Sequence, residues 1–361
     1  MAKPVVHVVR LAHVHYQHPD LEKALGFLKD FGMLIERRDG DIVYLRGYGV
    51  QPYIYVASQS PDQKRHFCGT SWVVASMEDL EAAAALPTAQ KEGIQEELGP
   101  GGGKKVTVAD PLGFPVHFTF GQTLRSVATT KDNALRLEKT APTSNLALEK
   151  PRKGEFRRFH QGASPVHKLG HFGYVVGKAN FEEMRQWYMT TLNLKASDTI
   201  FDPVTGKDDT CFMHIDLGAT YTDHHSFFIA SHATSTDAHV HHSSFEVNDF
   251  DTQLLGHDWL RSKSWTNCWG VGRHVLGSQI FDYWFDSSGN IVEHYSDGDL
   301  VNEDTPEKRE PAAPDSLFVW GPNIPLGFMT GRIEDAGIPL PLPQPQIVGD
   351  GKEVTPVPVI A

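Results

Sequence analysis

The sequence predicts a fold built from four βαβββ units, two of them laid over the other two, and three observations carry that prediction. Strand-like, helix-like and strand-like segments follow one another four times along the chain. The second pair of units repeats the first in register. Seven positions separate Asp286 from Glu293 in DSSGNIVEHY, and seven separate Asp110 from His117 in DPLGFPVHFT. In the same overlay KLGHFGY sets His171 against His13 of RLAHVHY, and HSSFEV on GTSWVV sets His242 against Gly69. Finally, 361 residues with 40% hydrophobic content suffice for two or three packed domains.

Each unit can be justified in turn. The first opens with the strand VVHVVRLAHVHY; Asp20 then begins the amphipathic run LEKALGFLKDF, which Gly32 ends as a helix C-cap would. LIERRDGDIVYLRG reads as a hairpin turning at Asp39-Gly40, and PYIYVAS closes the unit. In the second unit HFCGTSWVVAS is the strand. Ser76 and Asp79 have capping-box spacing before MEDLEAAAAL, and VTVADPLGFPVHFTF supplies the remaining strands. The run GPGGGKK, Gly99 to Lys105, has no Ser or Thr after its lysines, so it reads as a hairpin loop and not as a phosphate cradle.

A polar, basic connector, Gln122 to Ser164, includes KPRKGEFRRFH (Lys150 to His160), which reads as a solvated linker. The third unit has HKLGHFGYVVG as its strand, Asn180 and Glu183 as the expected cap of FEEMRQWYMTTLNL, and further strands ending in HHSFFIAS. The fourth has HVHHSSFEV, a helix through FDTQLLGHDWLRS, and IFDYWFD turning at Ser288-Gly289 into NIVEHYSD. After Asp299 the chain is rich in proline and acid. Leu317 to Phe328 is apolar enough to fold back on the second half, whereas PLPLPQPQIV suits an extended or partly disordered end. The expected organisation is a two-module domain over 1–121, a connector over 122–165, a second two-module domain over 166–300 and a tail over 301–361.

Composition excludes several function classes. A formal charge of −12 opposes non-specific nucleic-acid binding. No run of eighteen apolar residues occurs and the start MAKPVVHVVRLAH lacks a signal-like apolar stretch, so neither a membrane span nor export is expected. Three scattered cysteines without a CxxC fit free thiols in a reducing cytoplasm. The outlier is histidine: nineteen residues, concentrated between His214 and His294.

Three of them fall in one strand, HVHHSSFEV. Alternation puts Val240, His242, Ser244 and Glu246 on one face and His241, Ser243, Phe245 and Val247 on the other. Phe245 and Val247 have core character, so His242 faces solvent or a cavity. In NIVEHYSD the same rule groups Glu293 with Ile291 and Tyr295. A carboxylate between those neighbours is costly to desolvate unless it is paired or bound to a cation. His171 lies on the matching strand of the third unit. Two imidazoles and one carboxylate on one side of a divalent ion form the facial triad of non-haem Fe(II) oxygenases, with positions left open for substrate and oxygen.

GHFGYVV, VHHSSFEV and GRHVLGSQIFDYWFDSSGNIVEHYSDGD resemble the type I extradiol ring-cleaving dioxygenases of the vicinal oxygen chelate, or glyoxalase–bleomycin resistance, superfamily. The resemblance covers about Val166 to Asp299, and the first half in module pattern alone. Its most specific part is His274, Tyr283 nine residues on, and Glu293 ten further. It implies an α+β fold in which paired modules curl into two open-barrel domains. It also implies His171, His242 and Glu293 as ligands of Fe(II), or occasionally Mn(II), His225 as acid/base, and His274 and Tyr283 as partners of the bound diol. His225 is grouped by alternation with Phe227 and Ile229, and Tyr283 with Phe281 and Phe285. His224, His241 and His294 point away and are expected to be structural. Phe227, Phe281, Trp284 and Trp320 promise an apolar pocket wall.

The implied activity is catechol 2,3-dioxygenase-like. Fe(II) with one carboxylate carries net charge +1, which a catechol that has lost one proton would neutralise. His225 could take the second hydroxyl proton and later return one. The ring would open beside the diol to a 2-hydroxymuconic semialdehyde-type product, in a cytoplasmic homo-oligomer of aromatic-compound catabolism. The first half, with His13, Gly69 and His117 at the equivalent places, is expected to lack a complete metal site. Two classes compete. A glyoxalase-like isomerase or keto-acid dioxygenase would leave His274 and Tyr283 unexplained, and a non-catalytic aromatic-binding protein would not need the triad together with His225.

Overall fold

The computed structural model describes residues 6–126, 144–156, 159–232, 237–313, 316–340, 346–347 and 353–354. Part of the basic connector and most of the Pro-rich end lie outside the described residues.

Four modules follow one another. The first comprises β1 (Val8–His18), α1 (Leu21–Asp30), β2 (Leu34–Asp39), β3 (Ile42–Arg46) and β4 (Tyr55–Gln59). The second comprises β5 (His66–Val74), α2 (Met77–Ala84), β6 (Gln95–Glu96), β7 (Lys104–Ala109) and β8 (Pro115–Phe120). The third has β9 (Val166–Gly177), α3 (Phe181–Thr191), β10 (Leu194–Phe201), β11 (Asp208–Ile215), the short β12 (Thr222–Asp223) and β13 (Phe227–His232). The fourth has β14 (His239–Val247), α4 (Phe250–Ser262), β15 (Thr266–Arg273), β16 (Ile280–Phe285) and β17 (Ile291–Ser296).

Local chemistry explains most boundaries. Asp20 accepts a hydrogen bond from Lys23 N, Ser76 from Asp79 N and Asp249 from Thr252 N, so three helices start where a short polar side chain takes up an orphan backbone donor. The expected cap at Asn180 does not form. Its backbone is already helical, at φ −99° and ψ −10°, a geometry that turns the side chain away from the first turn. The helix also stops at Thr191, short of the predicted run, because Leu192 and Leu194 are drawn into the core where β10 begins. Within GPGGGKK the glycines lie in the turn between the paired strands β6 and β7, and Lys104 and Lys105 open β7.

The modules pair into two curled sheets of the same plan. In the first, the order is β2-β3-β4-β1-β5-β8-β7-β6; in the second, β15-β16-β17-β14-β9-β13-β11-β10, with Lys308–Pro311 added at the edge. At the centre of each sheet two strands meet antiparallel, β1 with β5 and β9 with β14. Each is flanked on its outer side by a parallel partner, so β9, β14 and β17 lie side by side. The shared plan is visible residue by residue. Ser71 pairs with His13 and with His117 in the first sheet, as Ser244 pairs with His171 and with Glu293 in the second.

One apolar core runs through both halves, from Leu25, Phe31 and Trp72 to Phe172, Phe245 and Trp284. Polar ties reinforce it. Trp259 and Trp265 donate their indole N–H groups to the two carboxylate oxygens of Asp30, at 3.0 and 2.9 Å. Tyr16 shares a hydrogen bond with Ser243 at 2.7 Å. Part of the tail covers the second sheet, with Ile324, Phe328 and Met329 packed in one cluster with Trp269, Phe281 and Tyr283.

Candidate active site

Strand pairing brings the site together. His171 on β9 and Glu293 on β17 flank β14 at the level of Ser244, and His242 lies two residues before Ser244 on β14. Gly173 is needed beside His171, because a Cβ there would come within 2.1 Å of the Phe228 ring. The resulting separations are 3.1 Å between His171 Nε2 and Glu293 Oε2, 3.4 Å between the two imidazole Nε2 atoms, and 3.7 Å between His242 Nε2 and Glu293 Oε2. Among the described residues this is the one group of three donors whose ligand atoms converge, within 4.8 Å of one another. All three residues are buried, and Glu293 Oε1 has no hydrogen-bond partner. A buried carboxylate oxygen without a donor carries an uncompensated desolvation cost, which a cation would remove. Nitrogen, nitrogen and carboxylate oxygen on one flank therefore fit a divalent transition metal.

The pocket lined by His171 and His242 is also lined by His225, His274 and Tyr283. His225 lies tilted against His171 with ring centroids 4.1 Å apart, and Tyr283 lies edge-on to His242 at 5.1 Å. Tyr283 OH is 2.8 Å from His274 Nε2. Burial, with the charge of Glu293 second, pushes the Tyr283 phenol well above its ordinary pKa and keeps it protonated.

Hydrogen-bond partners fix the tautomers of three rings. Burial lowers the pKa of His241 to about 4, and that of His242 well below the ordinary value, so both are neutral near pH 7. The Phe328 carbonyl, 2.9 Å from His241 Nε2, can only accept, so the His241 proton sits there. His241 Nδ1 must then accept from His242 Nδ1–H at 2.6 Å, which leaves His242 Nε2 bare towards Glu293. A second chain of the same form runs from Asp198. Its Oδ2 accepts from His224 Nε2–H at 2.7 Å, and in the tautomer where His224 carries only that proton its Nδ1, 3.1 Å from His225 Nδ1, accepts from it. In that tautomer His225 Nε2 keeps its lone pair. The third acceptor is the Leu317 carbonyl, which holds the His274 proton on Nδ1 at 2.6 Å and lets Nε2 accept from Tyr283.

Several expectations need correcting. His224 and His241 are not bystanders, since each hydrogen-bonds a residue of the pocket; His294 alone of that group stands apart, donating to the Phe31 carbonyl at 2.7 Å and stacking on its ring. His225 does not share a face with Phe227 and Ile229. It precedes β13, where the chain is not an extended strand, so strand parity does not carry across. Phe228 faces the pocket and Phe227 packs into the core against Tyr188 at 4.1 Å. The apolar wall is Phe212, Phe228, Leu276, Leu317 and Phe328, not Phe227, Phe281, Trp284 and Trp320. Trp284 points to the opposite face of β16, where it donates to Asp282, and Trp320 rests on Phe250.

Sequence reasoning missed Ser244. Its hydroxyl donates to Glu293 Oε2 and lies 2.7 Å from His171 Nε2, bridging the two. The available signal was its place two residues from His242 on one strand face.

At the equivalent place in the first sheet, Gly69 has φ +106°, and a Cβ there would meet His117 Nε2 at 2.8 Å. No side chain can replace His242 at that position. Both ring nitrogens of His117 are engaged, by Thr107 Oγ1 at 2.8 Å and the Cys68 carbonyl at 2.9 Å.

Comparison with known proteins adds two findings. Metapyrocatechase 2 of Cupriavidus necator is 31% identical over 144 residues, which span 40% of this chain and 41% of that protein. Among solved structures, homoprotocatechuate 2,3-dioxygenase from Brevibacterium fuscum, bound to 3,4-dihydroxyphenylacetate, superposes with a TM-score of 0.73 at 17% identity over 98% of both chains. The enzyme of that name from Arthrobacter globiformis gives 0.72 at 19% identity, covering 100% of this chain and 98% of its own. A Mn(II)-bound glyoxalase from Novosphingobium aromaticivorans gives 0.69 at 18%, covering 88% and 93%. No family model matches the chain. These likenesses establish the fold as that of the vicinal oxygen chelate proteins.

Proposed function

We propose that the chain is an extradiol dioxygenase that opens the ring of a catechol-type substrate beside its two hydroxyls, using O2 and a divalent metal held by His171, His242 and Glu293. Fe(II) is the metal of this reading and Mn(II) the second choice, since two imidazoles and one carboxylate are the donor set of non-haem Fe(II) oxygenases. One observation carries it: His171 and His242 line one largely apolar pocket together with His225, His274 and Tyr283, and the Glu293 carboxylate converges on the same two imidazoles. The partial likeness to metapyrocatechase 2 supports the same reading.

Bound there, the metal supplies Lewis acidity towards the diol and a place for O2. The protein's own groups do the rest. The bare Nε2 of His225 takes a proton from the second hydroxyl and returns one later; its pKa, lowered by burial first and then by neighbouring imidazoles, keeps it in the base form near neutrality. Tyr283 and His274 act as one hydrogen-bonded unit on the flank of the diol. Phe212, Phe228 and Phe328 exclude water from the reacting ring. The described part of the first half, from residue 6, supports the second half through the shared core. The reading places the chain in the cytoplasm as a homo-oligomer, and its three free cysteines fit a reducing compartment.

The test is anaerobic loading with Fe(II), followed by a panel of catechols in air, with oxygen uptake and absorbance recorded together. Stoichiometric oxygen uptake with a yellow ring-opened product is expected. Uptake with keto acids, or isomerisation of methylglyoxal–thiol adducts, in the absence of any catechol turnover would transfer the assignment to another chemistry of this fold.

A further inference from the structure

We infer that the pocket selects catechols whose ring substituent is uncharged and apolar, and discriminates against those bearing a carboxylate. This rests on the ring-cleavage reading for the identity of the diol, but the charge preference follows from the wall itself.

The described residues lining the pocket include no lysine or arginine. Beyond the groups around the diol, the wall is Phe212, Phe228, Phe328, Leu276 and Leu317, with Gln279 and Ser316 as its uncharged polar members. The cation next in sequence is Arg273, and it is engaged elsewhere. Its guanidinium donates to the Ser278 carbonyl at 2.6 Å and to Asp297 at 2.8 Å. His274 offers no free donor either, since one ring nitrogen is committed to the Leu317 carbonyl and the other accepts from Tyr283. Burial lowers its pKa, so it brings no charge near neutrality.

Charge balance then decides. A divalent ion, the Glu293 carboxylate and a singly deprotonated catechol sum to zero. A substituent carboxylate would add an uncompensated charge against aromatic and leucine side chains, and the described wall would offer it only the uncharged Gln279 and Ser316 in place of its hydration. A methyl or other small apolar substituent instead removes apolar surface from water on both partners. The structural neighbour whose bound ligand is 3,4-dihydroxyphenylacetate holds a carboxylated catechol, so a shared fold need not mean a shared preference.

The experiment is anaerobic equilibrium binding of 4-methylcatechol, catechol, 3,4-dihydroxybenzoate and 3,4-dihydroxyphenylacetate to the Fe(II)-loaded full-length chain, followed by kcat/KM in air. The carboxylated compounds should bind at least about a hundredfold more weakly than 4-methylcatechol, a gap consistent with the cost of an unpaired buried charge. Leu276→Arg, and independently Leu317→Arg, should narrow the gap at least about tenfold; both side chains are partly exposed, so a guanidinium can be accommodated. Carboxylated catechols binding within tenfold of 4-methylcatechol would overturn the inference. If 4-methylcatechol binds with the expected preference and no oxygen is consumed, the preference stands and the ring-cleavage reading falls. If no catechol binds, both fall.

Discussion

The imidazole rings of the second sheet divide by what their second nitrogen touches. His242 and His274 present a defined nitrogen because Phe328 O (through His241) and Leu317 O hold the proton elsewhere, and His225 is linked in the same way through His224 to Asp198. In the proposed reaction the proton transfer belongs to His225, so His225→Ala should lower kcat by about 10²–10⁴-fold while metal content and anaerobic catechol binding stay unchanged. A kcat within a few-fold of wild type would remove His225 from the chemistry. The positions of His171, His242 and Glu293 could be read from strand parity and repeat register. The functions of His241, His224 and Ser244 could not. Their partners are backbone carbonyls or residues distant in the chain, Phe328 and Asp198 among them, and periodicity carries no information about either.

Elements were legible where local chemistry decides. The caps at Asp20, Ser76 and Asp249 and the turns at Asp39-Gly40 and Ser288-Gly289 bound the predicted helices and strands. Parity failed at one place of consequence, the non-strand segment holding His225, which exchanged Phe227 for Phe228 in the pocket wall. The turn between β7 and β8 offers a stability test. Asp110 accepts from Leu112 N, Phe114 N and Tyr188 OH, and burial lifts its pKa to about 6. The native state then holds a proton that the unfolded chain has already released between about pH 4 and 6. Its contribution is therefore present below that window and lost as pH rises through it, by up to about 3 kcal/mol. Asp110→Asn, measured by urea unfolding, should gain stability relative to wild type between pH 4 and 7. A difference independent of pH would show that Asp110 does not titrate there.

The two sheets share one core and are tied by Asp30, Phe31, Tyr16 and their partners, so the described halves should unfold in a single transition. Buried histidines make that transition acid-sensitive. Burial holds His294 at about 3 and His241 at about 4. Their stabilisation is complete above the unfolded value near 6.5 and is lost as pH falls towards those values. The urea midpoint of the metal-free chain should fall steadily from pH 7 to 4, and less steeply in His294→Gln; identical slopes would contradict the assignment. The repeat also predicts an asymmetry between halves, because Gly69 and His117 deny the first sheet the donors that His242 and Glu293 give the second. Metal content per chain, after anaerobic Fe(II) loading and desalting, tests this directly. The expected values are one ion in wild type and none in Glu293→Ala, with the variant still folded by circular dichroism. Two ions in wild type, or one retained in a folded Glu293→Ala, would contradict the proposed centre.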